Sequence, residues 1–73
     1  MLINSSNIKS AEYDRRTLKL TMIFINRPTW VYTYSGVSLR VWGEFLRSES
    51  KGTYFSHNIR DVFPYKRTTK KRP

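Results

Sequence analysis

The chain is 73 residues long, enough for one small domain with a thin core. It carries 14 Lys and Arg against 5 Asp and Glu, a formal charge of +9, and its 15% aromatic content is too high for a purely disordered chain. The lack of cysteine excludes disulfides, thiol catalysis and Cys-ligated zinc or iron–sulfur centres, and the longest aliphatic and aromatic run, Met22-Ile23-Phe24-Ile25, is far too short to cross a membrane.

Met1-Leu2-Ile3 gives way at once to Asn4, Ser5, Ser6 and Asn7. That start is too short and polar for a secretory signal, so a soluble cytoplasmic protein is expected. Ile8 to Tyr13 reads as a short strand, and Asp14-Arg15-Arg16 as a polar turn. From Thr17 the pattern alternates. Leu18, Leu20, Met22 and Phe24 fall on one side and Lys19, Thr21 and Ile23 on the other, the period of a half-buried strand. Asn26-Arg27-Pro28 breaks this pattern, because proline lacks the N–H a ladder needs and asparagine suits a turn. Thr29 to Ser35 is β-branched or aromatic up to its terminal serine, the clearest strand signal in the chain. Short connections make the three strands neighbours in an antiparallel meander, with the first or the third exposed as an edge.

Gly36 ends the third strand, and the period then changes. Leu39, Trp42, Phe45 and Leu46 recur at helical spacing. Ser38 is placed to cap that helix, with Val37 and Trp42 at the two positions of a hydrophobic staple. Ser48-Glu49-Ser50 interrupts it. Ser50 is placed to cap a second short helix in which Phe55, Ile59 and Val62 share a face and which Pro64 closes. The predicted architecture is therefore α+β, in the order β-β-β-α-α: a three-stranded antiparallel meander with two short helices packed on one face. It forms one domain over residues 1–67, followed by a basic tail over 68–73.

The charge is uneven. Lys66, Arg67, Lys70, Lys71 and Arg72 put five of the fourteen cations into the last eight residues, and no carboxylate follows Asp61. Residues 1–65 carry a net +4 and the remainder +5. A segment without apolar residues and with dense like charge is predicted to be a disordered arm. Such an arm either solubilises the chain or meets a polyanion, RNA or an acidic surface.

Residues suited to catalysis are sparse. His57 is the only histidine, and Ser56, His57 and Asp61 would lie on one short helix. Neighbouring helical residues diverge by about 100°, so Ser56 and His57 do not face each other. His57 and Asp61, four apart, make a surface pair. The five carboxylates are scattered, which leaves no metal cluster and no acid–base pair. Gly36, Gly43 and Gly52 form no phosphate-cradling loop. No enzyme activity, cofactor or small-molecule substrate is expected.

Binding chemistry is better represented. Trp30, Tyr32 and Tyr34 alternate and so share one face of the third strand. That face either stacks nucleobases or lies under the helices as core, and a mixed arrangement has rings buried with hydroxyls at the rim. Ser50-Lys51-Gly52 opens the second helix, where unpaired N–H groups favour an anion. Arg60, near the far end of that helix, is either a binding cation or a charge that complements the helix dipole.

The ordered set Val31-Tyr32-Thr33-Tyr34, Gly36-Val37, Ser50-Lys51-Gly52-x-Tyr54-Phe55-x-x-x-Ile59-Arg60 and Phe63-Pro64-Tyr65-Lys66-Arg67 resembles the KTSC family, a small domain also found at the C-terminus of some lysyl-tRNA synthetases. The resemblance covers Ile8 to Arg67. Ser56 stands where that pattern usually has Asn, Phe63 stands where Tyr is common, and the extra basic tail is not part of it. The resemblance implies a non-enzymatic module with a role in RNA binding. Tyr32, Tyr34, Lys51, Tyr54, Arg60 and Tyr65 match its motif positions; Gly52 and the cations Lys66, Arg67, Lys70, Lys71 and Arg72 complete the candidate binding set. In length and basic character the chain is also similar to small transcription regulators of the Xanthomonas phage type. That likeness implies binding to bacterial RNA polymerase near the nascent RNA, with initiation inhibited and termination suppressed. The expected function is thus a binding protein of the transcription or RNA machinery; the alternative is a free-standing RNA-binding domain. If the five tail cations each meet a phosphate of single-stranded RNA, the log–log salt slope is about −3.5.

Overall fold

The computed structural model describes residues 2–3 and 5–69. In chain order the elements are β1 (Ile8–Asp14), β2 (Lys19–Phe24), β3 (Arg27–Tyr34), α1 (Leu39–Arg47), α2 (Lys51–Asn58) and β4 (Tyr65–Thr69). The strands form one antiparallel sheet in the order β1-β2-β3-β4, and both helices pack on one side of it. The α+β class, the meander and the two helices agree with the sequence reading; the strand count is four rather than three.

Two rungs across the sheet explain the core. Tyr13, Leu20, Tyr34 and Tyr65 are successive cross-strand partners, and so are Ala11, Met22, Tyr32 and Arg67. Alternation points both rungs to the helix side, where Ala11, Leu20, Met22 and Tyr34 are buried with Ile8, Val37, Phe45, Phe55 and Ile59. The intervening rung of Glu12, Thr21, Thr33 and Lys66 lies on the opposite, open face. Every aromatic residue of the four strands therefore lies on the helix side.

The helices are capped as their sequence predicts. Val41 N–H donates to Ser38 Oγ and Thr53 N–H to Ser50 Oγ, at 3.3 and 3.4 Å. Trp42 of α1 stacks on Tyr13 with centroids 5.3 Å apart, and Tyr13 Oη donates to the Val37 carbonyl at 2.7 Å. Phe55 of α2 meets Tyr34 edge-on and Phe24 at a tilt. Aromatic pairs of this kind fix the helices on the sheet beyond their area burial. Helix α2 is shorter than expected: the N–H groups of Ile59 and Arg60 both donate to the Phe55 carbonyl, which ends the helix at Asn58. Val62 is consequently 60% exposed, and Phe63 packs against the core in its place.

Three further positions differ from expectation. Arg27 and Pro28 belong to β3, and the break shrinks to Ile25-Asn26. Proline is tolerated because the β2–β3 register is irregular between Met22 and Phe24, so a ladder N–H is not required there. Leu18 sits in the β1–β2 turn with φ 59° rather than in a strand. The largest correction is β4. Alternation sends Lys66 and Arg67 to opposite faces, and the Arg67 guanidinium lies over the Trp30 ring, 4.1 Å from its centroid. That contact attracts, and the β-branched Thr68 and Thr69 suit a strand. Thr68 and Thr69 therefore pair with Val31 and Trp30 instead of starting a disordered arm. The expected boundary after residue 67 falls inside the strand, and β3 is an interior strand. Residues 70–73, with Lys70, Lys71 and Arg72, lie outside the described residues.

Candidate functional site

The helices cover the β1–β3 part of their side of the sheet. The β4 edge of that side is open, and Tyr65 there is 55% exposed. A cleft of about 440 Å³ results, walled by Phe24, Tyr32, Tyr34 and Tyr65 and rimmed by Arg27, Arg60 and Asp61. Tyr32 lies between Phe24 and Tyr65, with centroids 5.4 and 5.5 Å away. Tyr34, 2% exposed, forms the floor and packs on Tyr65 at 5.4 Å. Burial, with the neighbouring Tyr65 and Tyr32 phenols, pushes the Tyr34 phenol up to about 12. It is a neutral hydroxyl at physiological pH. The two tyrosines of the Tyr-x-Tyr segment differ: Tyr34 is core, and Tyr32 is half-buried at the wall.

Beside the cleft, two guanidiniums share one indole. Arg27 Cζ is 4.8 Å and Arg67 Cζ 4.1 Å from the Trp30 centroid. Arg60 Nε pairs with Asp61 at 3.7 Å, a long contact between exposed side chains, of the kind that contributes little. Four of the sequence-predicted residues, Tyr32, Tyr34, Arg60 and Tyr65, thus meet in one place. Lys66 lies on the opposite face of β4, and Arg67 on the cleft side.

The other predicted residues lie elsewhere. Lys51 Nζ donates to the Ser48 carbonyl at 3.2 Å, so its charge answers the end of α1. Gly52 admits a close approach, but the approaching group is the chain's own: a Cβ there would meet Asn7 Oδ1 at 2.7 Å. Tyr54 Oη donates to Glu44 Oε1 at 2.8 Å and ties α2 to α1. Burial, and then that bond to Glu44, push the Tyr54 phenol up to about 12. The same hydrogen bond is the leading reason that the Glu44 carboxyl is held below its ordinary value. A second, polar cavity of about 460 Å³ lies along Ser5 to Asn7 and the start of α2, where Ser56 and His57 also sit. Asp61 lines the aromatic cleft instead. Among the described residues no three metal-ligating side chains converge, and no helix is long and apolar enough to cross a membrane.

Phe24, Arg27 and Asp61 line the cleft and are not among the binding residues that the sequence pattern singles out. In the sequence Arg27 falls in a strand break, and its pairing with Phe24 across the hairpin brings it to the cleft. Trp30 was visible in the alternating aromatics, but its two guanidinium partners were not.

The family model for the KTSC domain matches residues 4–63. The chain belongs to the KTSC domain family. A KTSC domain protein from Yersinia pestis, seen in a crystal structure, is similar over 93% of each chain, with 29% sequence identity and a TM-score of 0.87. No curated protein matches. The family match ends at Phe63, so Tyr65 and all of β4 lie beyond it. The cleft is built by Phe24, Tyr32, Tyr34 and Arg60 together with Tyr65 of β4.

Proposed function

We propose that this KTSC domain is a non-enzymatic RNA-binding module. The observation that carries the reading is the aromatic cleft with Arg27 and Arg60 at its rim, adjoining the Trp30–Arg67 pair on the same side of the sheet. Aromatic faces stack bases of any sequence at about 1–3 kcal/mol each, and guanidiniums meet the phosphates between them. The open face offers Thr21, Thr33, Ile23 and Val31, which are poor platforms for a base, so the helix side is the favoured surface. Fluorescence anisotropy with a single-stranded oligoribonucleotide tests the reading. Binding is expected to weaken with salt, with a log–log slope of about −3.5 if five cations take part. A flat salt response, or no binding at low ionic strength, overturns it.

A second reading is favoured by a different observation: β4 is an edge strand of the sheet. Its outer backbone groups are a template for strand addition by a protein partner. In this reading the partner is bacterial RNA polymerase, bound near the nascent RNA, and the phage-type regulation of initiation and termination follows from that docking. Affinity capture from a bacterial lysate, with and without nuclease, separates the two. Polymerase retained after nuclease supports docking; polymerase lost with the RNA leaves only the RNA-binding reading.

A further inference from the structure

We propose that the cleft holds a single nucleotide unit, its base against Tyr65 and Tyr32 and its phosphate between Arg27 and Arg60, with Asp61 as an internal competitor for Arg60. This rests on the RNA-binding reading and makes its site specific. The volume of about 440 Å³ falls within the range of small-ligand sites, about 300–1,000 Å³. Four aromatic rings line it, and one of them is the Tyr34 phenol, which stays neutral. An acidic peptide would use the two arginines but would leave the aromatic walls without a planar partner. A nucleotide uses both. Among the described residues the Arg60 guanidinium pairs through Nε, at 3.7 Å from an Asp61 carboxylate that is 81% exposed. A phosphate that approaches the guanidinium fork can displace that contact and form a bidentate pair. The same chemistry is presented by a free mononucleotide and by one residue of a single strand.

The experiment titrates the full chain with AMP, UMP, inorganic phosphate, a short single-stranded oligoribonucleotide and an acidic peptide, followed by NMR shifts of the Tyr65 and Arg60 signals. AMP or UMP is expected to bind at least about tenfold more tightly than phosphate, the difference being the stack. Arg60→Ala and Tyr65→Leu are expected to weaken mononucleotide binding about tenfold. Asp61→Asn, at an exposed position where folding is not at stake, is expected to tighten it about two- to fivefold. Phosphate binding as well as AMP, the peptide displacing AMP from the cleft at lower concentration, or unchanged affinity in Asp61→Asn each overturns the proposal. An oligoribonucleotide that binds while mononucleotides do not, with no response to Arg60→Ala, overturns the nucleotide site and leaves RNA binding standing. A mononucleotide that binds while the oligoribonucleotide does not upholds the site and removes the RNA reading.

Discussion

Leu18 adopts φ 59° in the β1–β2 turn, a region that costs a non-glycine residue about 1–2 kcal/mol. Its side chain is 39% exposed, so part of its apolar surface is still buried. Leu18→Asn is expected to stabilise the fold by up to about 1 kcal/mol, a rise in Tm of about 4–8 °C for a domain of this size. A fall in Tm would show that the buried part of Leu18 outweighs the strain. The Tyr54–Glu44 hydrogen bond makes a prediction about pH. Glu44 is held below its ordinary 4.5 in the folded chain, so the bond contributes stability above that value and loses it as pH falls through the depressed one. Tyr54 is raised from 10.0 to about 12, so its contribution is full below pH 10 and fades as pH climbs towards 12. Urea midpoints of Tyr54→Phe are expected to lie below those of the wild type at neutral pH, to approach them in acid, and to overtake them in strong alkali, where burial penalises the Tyr54 phenolate and the variant carries none.

Among the elements, the helices and the first three strands were legible because each carries its own period and boundary. Ser38 and Ser50 announce the caps, Leu39, Trp42, Phe45 and Leu46 mark the buried stripe of α1, and Leu20, Met22 and Phe24 alternate. β4 was not legible, because Tyr65-Lys66-Arg67-Thr68-Thr69 has one apolar residue and two cations, and local charge density argued for an unpacked arm. The pairing partner overrules that argument: Trp30 receives Arg67, and Tyr34 receives Tyr65. Hydrogen exchange checks the strand directly. Amides of β4 that face β3 are expected to be protected in alternation along Tyr65–Thr69, whereas an unpaired arm exchanges throughout at the unstructured rate. Arg67→Ala removes one exposed cation–π contact and is expected to destabilise by about 0.5–1 kcal/mol. Phe55→Ala, at the point where α2 meets both Phe24 and Tyr34, is expected to cost about 3–5 kcal/mol, which in so small a domain abolishes a cooperative transition in thermal denaturation.

For the molecule as a whole, the sheet sorts its chemistry by side: aromatics and Arg67 towards the helices, Thr21, Thr33, Thr68 and Lys66 away from them. The cleft exists because two short helices cannot cover four strands, and no linear reading of the chain exposes that shortfall. Asn7 adds a consequence of its own. Its side chain stands against Gly52 and accepts from Ser5 Oγ, its carbonyl accepts the Ile25 N–H, and it borders both the polar cavity and the aromatic cleft. The two hollows therefore share a partition one residue thick, wedged in place by a missing methyl group at the head of α2. Gly52→Ala would push that partition sideways, and NMR shift changes are expected on both flanks of it, at Ser56 and at Asn26, from a single added carbon.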